Sequence, residues 1–190
     1  MHGRIGAGLV FFFLINAAQA QDLAALTAAA RAAAASLTQQ LGGALKKELA
    51  EKGPTGAVQV CKSLAPTIAG ELSAKHGMKL SRVSLKPRNP MLGLADAWEQ
   101  EQLLSFDAKV RAGEKVETLE QAVIVDEPAG KFFRYMKALP VQPLCLTCHG
   151  DTQAIPAEVK EQLSKDYPAD RAVGYSAGQI RGAITIKKAL

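Results

Sequence analysis

The stretch IRGAITIK, residues 180–187, alternates without a break: Ile180, Gly182, Ile184 and Ile186 fall on one side, Arg181, Ala183, Thr185 and Lys187 on the other. A period of two is the mark of a β-strand, so this segment predicts a sheet element with two distinct faces. Upstream, Val116 to Asp126 carries the dense apolar run Ala122 to Val125, and after Glu127-Pro128-Ala129-Gly130 a second strand runs from Lys131 to Leu139. Two such runs flanking a Pro/Gly turn predict a hairpin. Ahead of the hairpin the pattern is helical apart from residues 78–86, which read as extended. Helices first and an antiparallel sheet after them define an α+β chain.

The helices carry their own punctuation. Residues 22–52 are rich in Ala, Leu, Gln and Lys, are interrupted by Gly42-Gly43 and end at Gly53-Pro54. A second helical stretch, Thr55 to about Ser63, holds Cys61, and a third starts at Pro66 and runs through His76 to a stop at Gly77. Pro87-Arg88-Asn89-Pro90 is a stiff loop, because the residue before each proline is pushed out of the helical region. Asp96 with Glu99 three residues on reads as a capping box for a helix whose buried stripe is Leu103, Phe106 and Val110. Ile155, Val159 and Leu163 mark a short helix before the final strand.

The N-terminus bears on the meaning of the cysteines. A basic start at Met1 to Arg4, an apolar run from Ile5 to Asn16 and the small-x-small site Ala18-Gln19-Ala20 read as an export signal over residues 1–20. The run is short of the roughly 20 apolar residues that span a bilayer, so a periplasmic protein without a membrane anchor is expected. Its removal takes Lys plus Arg from 23 to 22 against 18 acids. The basic residues alternate with acids, as in Lys46-Lys47-Glu48, which argues against a nucleic-acid surface. The expected organisation is a signal peptide at 1–20, an N-terminal helix at 21–52 and one domain at 53–190. Aromatics at 5% are sparse for a core of that size, and a large flat cofactor would supply part of what is missing.

PLCLTCHG, residues 143–150, holds Cys145-x-x-Cys148 followed directly by His149. Two cysteines on one turn of backbone reach the two vinyl groups on one porphyrin edge, and the next residue comes under the iron, so the spacing points to covalent haem c with His149 as proximal ligand. A thioredoxin-like pair would open a helix after a parallel strand, whereas Pro140 and Pro143 precede this one on a loop. A zinc site drawing on Cys61, Cys145, Cys148 and His149 or His76 is the other alternative. For the opposite face of the iron the chain offers Cys61, His76, Met78, Met91 and Met136, or no protein ligand. Residue types alone leave that choice open.

The stretches VCKSLAPTIA (60–69), RVSLKPRNP (82–90), WEQEQLLSF (98–106), KFFRYMKALPVQPLCLTCHG (131–150) and GYSAGQIRGAITI (174–186) resemble a family of exported haem c domains with a PAS-like core, the Tll-like family. The resemblance covers roughly residues 50–188. It implies a PAS-like antiparallel sheet with N-terminal helices packed on it, and it implies Cys61 as the axial ligand opposite His149. One departure is Met91-Leu92-Gly93-Leu94-Ala95, where the family has a polar turn. Haem propionates call for arginine, and of Arg82, Arg88, Arg134 and Arg181 the candidates taken are Arg88 and Arg134, with Tyr135 and Tyr175 as pocket-lining residues. The expected function is a redox or gas-responsive haem sensor working through a separate partner, with a periplasmic electron carrier as the alternative. A thiol-disulfide enzyme fits less well, because no general base stands beside the motif.

Overall fold

The computed structural model describes residues 8–190, with side chains from residue 22 onward. The side chains of the expected export signal lie outside the described residues. Among the described residues, no helix is long and apolar enough to cross a membrane.

Helix α1 spans Gly8–Gln59 and bends at Gly53, whose backbone (φ 70°, ψ −170°) leaves the helical region just before Pro54. Gly42 and Gly43 stay helical. A π-helical turn, Val60–Leu64, joins α1 to α2, Ala65–His76, and Gly77 closes α2 in the left-handed conformation (φ 59°), donating to the Ala74 carbonyl. β1 is Lys79–Val83, and the short α3, Pro90–Gly93, is capped by the Asn89 side chain, which accepts from Met91 N–H at 3.0 Å. In α4, Ala97–Arg111, both halves of the expected capping box form: Glu99 N–H donates to Asp96 at 2.9 Å and Asp96 N–H to Glu99 at 2.8 Å. β2 (Glu120–Glu127) and β3 (Gly130–Pro140) form the hairpin. α5 (Leu146–His149), α6 (Ala157–Asp166) and β4 (Ile180–Ala189) complete the chain.

The four strands run β1-β4-β3-β2, every neighbouring pair antiparallel. On one face Leu80, Phe133, Tyr135, Ile184 and Ile186 meet Ala30, Ala33, Ala34 and Leu37 of α1 and Ile68 and Leu72 of α2. The α1 contacts recur at i, i+3, i+4 and i+7, and three of the four are alanines, which lets the helix lie close to the sheet. Helix α1 thus packs on the sheet together with α2, as the expected PAS-like arrangement of N-terminal helices requires. On the other face Leu103 and Phe106 of α4 pack against Met136, Ala138 and Ala183. Both faces of β4 are thus buried. Thr185, on the α4 face, is satisfied there by donating to Glu99 at 2.7 Å.

The alternation seen in β4 fails at one point. Leu139 pairs with Gly182 but Pro140 pairs with Ile180, which leaves Arg181 without a partner in β3. Such a bulge flips the side chains beyond it. Ile180 accordingly joins the α4-side cluster with Ala183, although strict alternation would put the two on opposite faces.

Candidate functional site

A cavity of about 390 Å³ opens between α2 and the β1–β4 end of the sheet. Ala65, Pro66, Ala69 and Gly70 give its helical wall a smooth, small-residue surface, and Leu80, Leu139 and Gly182 form the sheet side. Cys61 stands on one wall and His149 on another. Cys61 belongs to the π-helical turn, a departure from α-helix that recurs at functional sites because the extra residue re-aims a side chain.

His149 is held from behind. The CLTCH run folds as a 3₁₀ turn, Pro143–Cys145, followed by the single turn of α5, and Gly150 closes it by donating from N–H to Leu146 O at 2.9 Å. A Cβ at Gly150 would lie 2.6 Å from that same oxygen, so the turn requires glycine there. The His149 Nδ1 sits 2.7 Å from the Ala172 carbonyl. A carbonyl only accepts, so Nδ1 carries the proton and Nε2 keeps its lone pair, which accepts a long bond from Arg181 Nε at 3.4 Å, the tautomer of a metal-ligating histidine. Burial, followed by the cations Arg181 and Arg88, holds its pKa well below the usual imidazole value, so the ring is neutral.

The three cysteines are free thiols, each half-buried. Burial pushes the Cys148 thiol up, partly opposed by Arg88. Cys145 and Cys148 occupy one turn, as their spacing predicts, but no set of three or more His, Cys, Asp or Glu side chains among the described residues gathers to hold a metal, so the zinc tetrahedron does not assemble. Of the other ligand candidates, Met136 and Met78 are buried in the two cores, Met91 is 91% exposed, and His76 ends α2 away from the cavity lining. Among the described residues, Cys61 is the one candidate that lines the same cavity as His149. The departure at residues 91–95 places Leu92 and Gly93 on the cavity rim while Met91 points to solvent.

The arginines need correction. Arg134 is not at the cavity. It lies on the α4 face, 2.6 Å from Asp96, 3.3 Å from Glu99 and 3.2 Å from Glu127, with its guanidinium 4.4 Å over the Trp98 ring. Its neighbours Met136 and Ala138, at the same strand parity, belong to that face as well. Tyr135 is likewise core, its hydroxyl donating to Glu120 at 2.9 Å. Arg88 does line the cavity, yet its guanidinium is engaged with Asp170 and with backbone carbonyls. Arg82 and Arg181 line the cavity as well, and of the three only the Arg82 guanidinium has no hydrogen-bond partner among the described residues. Arg181 reaches it through the bulge, bringing Nε to 3.4 Å from His149 Nε2 while Nη1 donates to Ser84 at 3.0 Å. Tyr175 stands edge-on to His149 at 6.3 Å, beside Lys86 and Arg181. Tyr167, absent from the expectations, lines the cavity with its phenol pushed up to about 12 by burial and by Cys61.

These features define a PAS-like α+β domain whose cavity presents a neutral histidine from a CxxCH turn and a cysteine from a facing helix. The chain belongs to the Tll0287-like family, whose pattern matches residues 16–188. It is similar to the crystal structure of the cyanobacterial heme-protein Tll0287, with a TM-score of 0.60 and 25% identity over 87% of this chain and 93% of that one. No curated protein matches it.

Proposed function

We propose that the chain is an exported c-type haem protein of the periplasm, without catalytic activity of its own, that binds one haem in the α2–sheet cavity. The observation that carries the reading is the pairing of His149 Nε2 and Cys61 on the walls of one cavity beside the CxxCH turn. The residues fit the group chemically. Nδ1–H is spent on Ala172, which leaves a nitrogen lone pair where a metal would need it. Cys145 and Cys148 are free thiols one turn apart, as thioether anchors require. Arg82 and Arg181 supply positive charge for propionate carboxylates. When bound, the group supplies an iron that cycles between ferric and ferrous states and binds small gases at an open position.

Cys61 would hold the iron as a thiolate, a donor that would favour the ferric state over the ferrous. Its seat on a π-helical turn favours release, because that backbone is less regular than the α-helix on either side. These points favour a redox or gas sensor that signals to a separate protein. An electron carrier, the second reading, draws support from exposed Leu92 at the cavity rim, where a redox partner could approach.

The primary test is expression with and without the haem attachment machinery, followed by a haem stain of a denaturing gel. A stained band that disappears in Cys145→Ser and Cys148→Ser is expected, and a colourless wild-type band from competent cells overturns the reading. Carbon monoxide added to the reduced protein then separates the roles: rapid binding, preserved in Cys61→Ser, supports sensing, and an unchanged spectrum supports electron transfer.

A further inference from the structure

The stiff loop at Pro87–Pro90 has a use that its sequence only hinted at. Arg88 is buried, 8% exposed, and the hydrogen bonds of its guanidinium all end on the support of His149. Its Nε donates to Asp170 at 3.0 Å, and its Nη2 donates to the Cys148 carbonyl and, at 3.3 Å, to the Ala172 carbonyl. That Ala172 oxygen is also the acceptor for His149 Nδ1–H. Asp170 closes the ring by accepting from Ala172 N–H at 2.7 Å. Around this ring, Arg171 N–H donates to Pro87 O at 3.1 Å and Tyr175 N–H to His149 O at 3.0 Å, so the 170–175 segment is fixed to the loop and to the ligand turn together.

We propose that Arg88 and Asp170 are positioning residues that set how strongly His149 donates to the iron, and through it the reduction potential; this rests on the haem reading above. The physical step lies at one oxygen. A carbonyl that already accepts from a guanidinium has less lone-pair density for a second donor, so it polarises the His149 Nδ1–H bond less and keeps the ring closer to a neutral imidazole than to imidazolate. A less basic ligand, and a cation nearby, both favour ferrous over ferric iron. Asp170 opposes Arg88 on both counts, because its carboxylate offsets the guanidinium charge and so weakens the pull of that charge on the shared carbonyl. The pair therefore acts with opposite signs on one quantity.

A purely structural clasp would not do this. Losing either partner would then lower haem attachment and melting temperature alike, with potentials moving together or not at all. The test is spectroelectrochemical titration of the wild type, Arg88→Gln, Arg88→Lys and Asp170→Asn, each purified as the covalent haem protein. Arg88→Gln should shift the ferric-to-ferrous ratio up to tenfold toward ferric, a fall in potential of as much as about 59 mV for one electron. Asp170→Asn should move it the other way. Arg88→Lys keeps the charge but not the fork, so its potential should stay within threefold in that ratio of the wild type while its melting temperature falls. If Arg88→Gln gives no coloured protein, Arg88→Lys against Asp170→Asn decides, with Asp170→Asn expected higher. A coloured wild type whose variants shift in the same direction, or do not shift, overturns this inference alone. A colourless wild type overturns the haem reading and this inference with it.

Discussion

Gly182 joins the fold to the site, and its replacement by alanine gives a sharp test of both. A Cβ at this position would lie 2.3 Å from the Val83 carbonyl oxygen and 3.2 Å from the Ser84 Cβ. Ordinary contact begins near 3.4 Å, so β4 and β1 must part by about 1.1 Å at that point. The offending atom is backbone, in a strand paired over five residues from Lys79 to Val83, so it cannot swing aside as a side chain would. Overpacking a rigid core costs about 1–3 kcal/mol, and a backbone clash belongs at the top of that range. At about 2–4 °C per kcal/mol for a domain of this size, Gly182→Ala should melt about 6–12 °C below the parent. Gly70→Ala is the control on the same cavity. Gly70 lies inside α2 with nothing within 4 Å of its would-be Cβ, so alanine should stabilise by about 0.5–1 kcal/mol through helix propensity. Circular dichroism melts of the three proteins decide it, and a Gly182→Ala melting point within 2 °C of the parent would refute the close approach of β1. Both glycines line the cavity, but only at Gly182 does the added Cβ push on the Val83 backbone of the cavity wall, so this variant should reduce haem attachment at temperatures where Gly70→Ala does not.

Other outcomes follow from the ion pairs. Arg134→Met leaves the buried Glu99 carboxylate without its cation and should cost about 3–5 kcal/mol by urea unfolding, while haem attachment at low temperature stays as in the parent; a loss under 1 kcal/mol would mean the Trp98 contact and packing carry the site. Tyr135→Phe removes one hydrogen bond to Glu120, which keeps its Arg31 partner, so a loss of about 0.5–1.5 kcal/mol is expected from the same unfolding curves. Arg31 and then Tyr135 hold the Glu120 carboxyl below its usual range, against burial. A depressed carboxyl stabilises the fold above its unfolded value of about 4.3 and loses that contribution as pH falls through the folded value. Arg31→Ala should therefore be less stable than the parent at pH 7, with the gap closing below about pH 4, and a gap that persists at pH 2 would assign the effect to the arginine stem.

What was legible in the sequence divides along the range of the interactions. The Asp96–Glu99 box, the stop at Gly77, the hairpin and the CxxCH turn are local devices, each complete within a few residues, and each forms, although the first hairpin strand starts at Glu120 rather than Val116, where Val116–Thr118 makes a 3₁₀ turn. The arginines are not local. Arg134 and Arg181 both sit in strands, and parity along a strand tells only which residues share a face, not which face meets the cavity. For Arg134 the neighbours Met136 and Ala138 carried the information, since they are apolar and share its side, but the α4 partner that covers them lies some 30 residues earlier. For Arg181 parity itself misleads, because the register shift at Leu139/Pro140 reverses it, and the pairing that creates the shift is visible only once β3 and β4 are aligned. The π-helical turn at Cys61 falls where the sequence shows only a helical stretch from Thr55 to about Ser63, because the residue types in VCKSL suit any helix.

The charges around His149 bear on what the cavity is suited to hold. Arg181 faces Nε2, Arg88 lies behind the ring, and Arg82 lines the same space. Burial and three guanidiniums make a further positive charge on this histidine costly, so the imidazole stays neutral, with its Nε2 lone pair met only by the long bond from Arg181. The same guanidiniums favour anions. A single ligand that satisfies both demands must bring an electron-poor centre to Nε2 and negative groups to Arg82 and Arg181, and it must be flat enough for the wall of Ala65, Ala69 and Gly70. A free metal ion meets only the first demand and a simple carboxylate only the second. A metalloporphyrin with two propionates meets all three, and this match of charge and shape supports the haem reading independently of the CxxCH spacing.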